Sequence, residues 1–183
     1  MATEQTFQIA LNWIFLAEGG LVDDKNDKGG ITKYGISLRY LKRKGAAGDI
    51  NGDGEIDKKD IRQLSQTQAS EFYFHDFWLA CRCRGMPNDI AIAVFDCAVN
   101  QGGSIARRLL QKELHVKQDG IIGPKTLAEL AKADTKTLLA HYLAARQMHY
   151  RDITMANSEY GIYIRGWTNR LFLLQKFIHE ELS

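Results

Sequence analysis

Between Asp89 and Gln101 the chain carries Ile90, Ile92, Ala93, Val94, Phe95, Cys97, Ala98 and Val99, with no proline or glycine among them. A helix that is apolar on every side cannot lie at a surface, because each face needs a neighbour to cover it. The rest of the chain must therefore pack around this segment. Elsewhere apolar residues recur at intervals of three and four, as in Phe7, Leu11, Ile14 and Phe15, in Leu110 and Leu114, and in Leu138, Leu139, Tyr142 and Ala145. The expectation is a mainly α fold with 89–101 as its central helix. Other helices are expected at 4–17, Leu38–Lys44, 58–65, 67–80, 104–114, from Pro124, at 134–157 and within 162–182. Ser37, Asn88 and Asp134 are placed as N-caps, and Pro124 at a first helical position. Gly85-Met86-Pro87-Asn88 is the clearest break. It divides the chain into lobes at 1–86 and 87–183, expected to form one compact unit.

Composition narrows the partners. Lysine and arginine number 24 against 22 acids, a net charge of +2, too small by itself to imply a nucleic-acid partner. No run approaches the ~18 apolar residues of a membrane span, and the start lacks the basic region of a signal peptide. A monomer, made in the cytoplasm and without stable membrane insertion, is expected. Cys81, Cys83 and Cys97 are an odd count and read as free thiols.

The most chemically suggestive stretch runs from Glu18 to Ile36, with five glycines and four carboxylates in nineteen residues. Glu18 falls in the last turn of the first expected helix, on the face of Phe7, Leu11, Ile14 and Phe15. The negative end of a helix dipole disfavours an anion there by a few tenths to about 1 kcal/mol. A carboxyl kept protonated at the end of a rigid helix suits a general acid. The alternative is a surface glutamate ahead of a loop. Asp27 and Thr32 follow, and the glycine pairs 19–20 and 29–30 allow the chain to double back towards Glu18.

The pattern Glu-Gly-Gly, a short acidic stretch, then Asp-x-Gly-Gly-x-Thr-x-x-Gly-Ile resembles the signature of glycoside hydrolase family 108, whose members are N-acetylmuramidases, many of them phage endolysins. It is also similar to the wider phage-lysozyme pattern Glu-x8-Asp-x5-Thr, although Thr32 comes one residue early. The resemblance implies a lysozyme-like, mainly α fold in two lobes with a small hairpin near residues 20–36. It implies cleavage of the β-1,4 bond between N-acetylmuramic acid and N-acetylglucosamine of bacterial peptidoglycan, with Glu18 as the catalytic acid. Asp27 is the candidate for the opposing carboxylate or base, with Asp23 and Asp24 in reserve. Thr32 is placed to orient water and Tyr34 to line the site. Phe95-Asp96-x-x-Val99-Asn100-x-Gly102 resembles a second family motif. Asp96 and Asn100 are read either as substrate-binding residues on the cleft floor or as internal hydrogen-bonding groups. Asp119-Gly120-x-x-Gly123-x-x-Thr126-Leu127 is similar to an element of peptidoglycan-binding modules. Gly166-Trp167-x-x-Arg170 resembles the family's closing motif, with Trp167 expected to pack on the core and Arg170 to pair with a buried acid. An endolysin of this kind acts on the periplasmic wall after release through a holin-type lesion. Other readings are a lytic transglycosylase, a non-catalytic calcium-dependent wall-binding module and a dockerin-like adaptor.

A second motif is independent of these. Asp49-x-Asn51-x-Asp53-Gly54-Glu55-Ile56-Asp57-x-x-Asp60 matches the spacing of an EF-hand loop. Asp49, Asn51 and Asp53 stand at positions 1, 3 and 5, Glu55 offers its carbonyl at 7, and Asp60 holds position 12. Aspartate at position 12 resembles dockerin-type loops. One structural calcium ion is expected here; the alternative is a polar turn or a lost site.

Overall fold

The computed structural model describes residues 1–18 and 31–182. The chain is mainly helical, with one two-stranded hairpin among the described residues. Its contacts divide it into two compact units, Met1–Ala10 with Phe74–Ser183, and Leu11–Tyr73. The division does not follow the Gly85–Asn88 break: the segment 74–86 joins the C-terminal helices.

In the first unit helix α5, Asn88–Gln101, is the centre, with α6 (Gly103–Glu113), α8 (Thr135–Ala156) and α9 (Ile164–Leu182) packed against it. Every residue from Ile90 to Ala98 is fully buried, as its all-round apolar character requires. At one end Phe7 meets Trp78 and Phe95 at ring-centroid distances of 5.4 and 5.8 Å, and Trp78 meets Phe95 at 5.5 Å. These rings cross at 58–79°, the edge-to-face packing of aromatic cores.

The start of α5 departs from expectation. Pro87 occupies the cap and Asn88 is the first helical residue. The Asn88 side chain instead accepts a hydrogen bond from Thr6 Oγ1 at 3.1 Å. The expected helix 67–80 is also two pieces: α4, Gln66–Tyr73, and a π-helical turn, Phe74–Leu79. Pro124 opens α7, Pro124–Leu130, as its fixed φ suits, and Asp134 caps α8 by accepting from the Thr137 amide at 2.9 Å.

The loop between α6 and α7 is closed by one side chain. Gln111 Oε1 accepts from the Gly120 amide at 2.7 Å, while its Nε2 donates to Asp119 Oδ1 at 2.8 Å and to the Ile121 carbonyl at 3.0 Å. The Asp-Gly-x-x-Gly element is thereby a folded loop whose aspartate, itself exposed, accepts from the Gln111 side-chain amide and the Ile121 backbone amide. All three cysteines are free and buried.

The second unit contains the rest of α1 (Glu4–Glu18), strands β1 (Thr32–Lys33) and β2 (Ile36–Ser37), and helices α2 (Leu38–Arg43) and α3 (Lys58–Gln63) with α4. Ser37 ends β2 and caps α2, accepting from the Tyr40 amide at 3.1 Å. Leu41, Ile61, Leu64, Ala69 and Tyr73 form its buried interior with Ile14, Ile31 and Ile36.

Candidate active site

Helix α1 ends at Glu18, and no basic residue stands in its last turn. The carbonyl end of the helix therefore lies at this glutamate. For Glu18 the structure describes the backbone. Asp27, with Asp23 and Asp24, lies outside the described residues.

One turn before Glu18, Phe15 anchors what faces this end of the helix. Its ring lies 5.7 Å from that of Tyr34 and 6.2 Å from that of Tyr73. Tyr34 and Gly35 are the two central residues of the β-hairpin, which pairs Thr32 with Ser37 and Lys33 with Ile36. Their φ angles are 53° and 74°, both left-handed, as a two-residue turn matched to the strand twist demands. Glycine adopts this freely; tyrosine does so at a cost. The cost is held by neighbours: Tyr73 Oη donates to the Tyr34 carbonyl at 2.9 Å, and Phe15 packs on the ring. Lys33 Nζ stands 5.4 Å from the Tyr34 ring centroid and donates to the Arg62 carbonyl at 2.6 Å. The hairpin is thus tied to α1, α3 and α4. It brings Thr32 and Tyr34, both half-buried, to the last turns of the helix that ends in Glu18. Tyr73 and Phe15 hold the hairpin in place; from sequence alone Phe15 lies on an apolar face and Tyr73 is not singled out.

Asp96 and Asn100 part company. Asp96 is fully buried, with Arg146 Nη2 at 2.7 Å from one oxygen and Arg170 Nη2 at 2.7 Å from the other. Its expected role on the cleft floor is corrected: it is the shared counter-ion of two arginines on α8 and α9. A fully buried carboxylate of this kind requires such pairing. Arg170 does meet a buried acid, as its motif led us to expect. Asn100 is half-buried and accepts a hydrogen bond from Tyr150 Oη at 2.6 Å. Trp167 does not enter the core but stacks on Tyr150 at 4.9 Å.

The loop 49–60 is wound by its own carboxylates. Asp49 accepts from the amides of Gly52 and Gly54 at 2.8 and 2.9 Å. Asp60 accepts from Ile50, Asn51 and Asp57 at 2.8, 3.3 and 2.7 Å. Burial opposes the charge on Asp60, yet those three amides together hold its pKa below the ordinary carboxylate value. Asp53 sits 3.4 Å from Lys59 Nζ, which is also 3.8 Å from Asp57. Gly48 leads into the loop so close to α2 that a Cβ there would lie 2.1 Å from the Leu41 carbonyl oxygen. Among the described residues no group of three or more His, Cys, Asp or Glu is gathered to hold a metal ion. The cation beside Asp53 and Asp57 in this structure is Lys59.

The glycosyl hydrolase 108 family matches residues 11–102, half of the chain, including Glu18, Asp27, Thr32, Tyr34 and both Asp96 and Asn100. The chain belongs to glycosyl hydrolase family 108. A predicted peptidoglycan domain matches residues 104–172. The fold is similar to a solved structure described as SagA of Brucella abortus, with a TM-score of 0.79 and 28% identity over 97% of this chain and 96% of that one. A comparison with curated proteins returns no match. This family 108 chain is therefore a glycoside hydrolase joined to a predicted peptidoglycan domain. Among its described residues no helix is long and apolar enough to cross a membrane.

Proposed function

We propose that the protein is a peptidoglycan hydrolase that cleaves the β-1,4 bond between N-acetylmuramic acid and N-acetylglucosamine, with Glu18 as general acid. The observation that carries this reading is the position of Glu18 as the final residue of α1, with the Thr32–Ser37 hairpin fastened beside that helix through Phe15 and Tyr34. A carboxyl at the carbonyl end of a helix is biased towards its protonated form, the state that donates to the glycosidic oxygen. As the bond breaks, positive charge grows on the sugar and needs a carboxylate or a positioned water on the opposite face. Asp27 supplies the carboxylate in this proposal and Thr32 orients the water. Tyr34 lines the site. The peptidoglycan domain match supports the polymer as substrate.

The protein acts as an endolysin in this reading, reaching the periplasmic wall through a holin-type lesion. One calcium ion, held by Asp49, Asn51, Asp53, Asp60 and the Glu55 carbonyl, stiffens the loop between α2 and α3; Lys59 would have to swing away on binding.

Digestion of purified peptidoglycan by wild type and Glu18→Gln, with mass spectrometry before and after borohydride, tests the reaction. Reducible muramic ends made by wild type alone are expected. Anhydro-muramic ends would make the protein a lytic transglycosylase, and fragments released equally by both proteins would remove Glu18 from the chemistry.

A further inference from the structure

The neutral side chain of Gln111 closes the loop between α6 and α7, yet three arginines are fastened to the same loop. Arg108 Nη1 donates to the Gln118 carbonyl, Arg107 Nε to the Gly120 carbonyl at 2.6 Å, and Arg82 Nη1 to the Ile122 carbonyl at 3.1 Å. The anchors are alternate carbonyls of five residues, so each lies at most about 7 Å from the next. Arg107 and Arg108 also close on one residue: a Cβ on Gly120 would lie 3.5 Å from Arg108 Nε. Arg107 Nη1 reaches back to the Ala80 carbonyl at 3.3 Å, two residues before Arg82. All of these residues belong to the first unit.

Tying down a loop takes N–H donors and no charge, as Gln111 shows. Three cations fastened to five residues repel one another. Among the described residues none of the three forms an ion pair. The loop's one carboxylate, Asp119, accepts instead from the Gln111 side chain and the Ile121 amide. Arg82 adds a cost of its own. Its φ is 56°, in the left-handed region that a residue with a Cβ enters unfavourably. Positive charge is thus held in place here without a counter-ion, with Arg82 and Arg108 exposed and Arg107 half-buried.

Such a cluster has a chemical complement. The guanidinium is a rigid fork of five N–H donors that fits carboxylate and phosphate oxygens. Arg82 and Arg108 each commit one donor to the loop. A carboxylate brings one charge and two oxygens. A phosphate monoester brings close to two charges and three acceptor oxygens. Three fixed guanidinium groups match the second.

We infer that Arg82, Arg107 and Arg108 form a binding site for a phosphate or pyrophosphate group. The site owes nothing to the Glu18 chemistry or to the choice of polymer.

The test titrates the full chain, at fixed ionic strength, with inorganic pyrophosphate, inorganic phosphate and succinate. Pyrophosphate and phosphate are expected to bind at least tenfold more tightly than succinate. They should also raise the melting temperature beyond what sodium chloride of equal ionic strength does. Arg82→Gln with Arg108→Gln keeps a side-chain amide for the loop carbonyls and removes two charges. This variant is expected to lose about tenfold or more in pyrophosphate affinity. Lys136→Gln, which removes an exposed cation at the start of α8, is expected to lose none. Vesicles of phosphatidylcholine with and without phosphatidic acid distinguish the source of the group. Retention on the acidic vesicles that the arginine variant loses would make it lipid-borne; pyrophosphate bound without retention would make it soluble; both outcomes uphold the site. Equal affinities for pyrophosphate and succinate, or an equal loss in Lys136→Gln, would reduce the effect to bulk charge and overturn it. A wild-type melting temperature that responds to pyrophosphate no more than to chloride would overturn it without recourse to any variant.

Discussion

The carboxylate of Asp96 and the guanidinium of Arg146 meet at 2.7 Å with neither side chain exposing any surface. Arg170 reaches the other oxygen from α9. One acid thus joins α5, α8 and α9. Asp96→Ala leaves two cations without their counter-ion, one of them fully buried. The expected cost is about 3–5 kcal/mol, read by urea denaturation. Arg170→Ala, with the Asp96–Arg146 pair intact, should cost clearly less. Similar losses from both would mean the triad behaves as one unit.

Tyr73→Phe keeps the ring and removes the donor to the Tyr34 carbonyl. A stability loss of about 0.5–1.5 kcal/mol is expected, because the freed carbonyl belongs to a strained turn. If the hairpin orients Thr32 and Tyr34 for the reaction, wall hydrolysis falls further than the folded fraction does. Activity that tracks the folded fraction would reduce the hairpin to scaffolding.

Asp60 makes stability depend on pH in one direction. Its folded pKa is depressed, so its contribution is complete above the unfolded value near pH 4 and is lost as pH falls through the lower folded value. It changes nothing between pH 6 and 8 by the same reasoning. Asp60→Asn should flatten the acid limb of a pH–stability curve, with little added slope at neutral pH. Asp60 also completes the capping box of α3 with Asp57, so the variant should lose about 0.5–2 kcal/mol even at neutral pH.

Calcium should raise the melting temperature of the protein and a chelator should lower it again. Asp53→Ala is expected to abolish the calcium response. Lys59→Ala, which removes the ammonium beside Asp53 and Asp57, is expected to tighten calcium binding. A melting temperature indifferent to calcium across the millimolar range would end the structural-ion proposal.

The helices were legible where one face or every face was apolar. The central 89–101 segment could be nothing but buried, and Asp134 and Pro124 marked their helix starts by local chemistry alone. Asn88 was misplaced because its side chain accepts from Thr6, 82 residues away in the chain, while Pro87 stands at the cap. The π-helical turn at 74–79 has no signal in spacing. Asp96 was ambiguous for a different reason: its partners stand 50 and 74 residues away, and nothing near Asp96 in the chain announces them. Trp167 was expected on the core from the motif that Gly166-Trp167-x-x-Arg170 resembles, and only the three-dimensional neighbourhood of Tyr150 shows it stacked on that ring instead. Tyr73 gave no signal because a hydroxyl's backbone partner 39 residues away is invisible in sequence.

Burial pushes all three thiols, Cys81, Cys83 and Cys97, above the usual cysteine value. An alkylating reagent needs an exposed thiolate, and the folded chain offers it none. Modification then proceeds only through opening of the first unit, and its rate times the event. The protein carries, in effect, its own unfolding clock, readable by mass without adding a label to the structure.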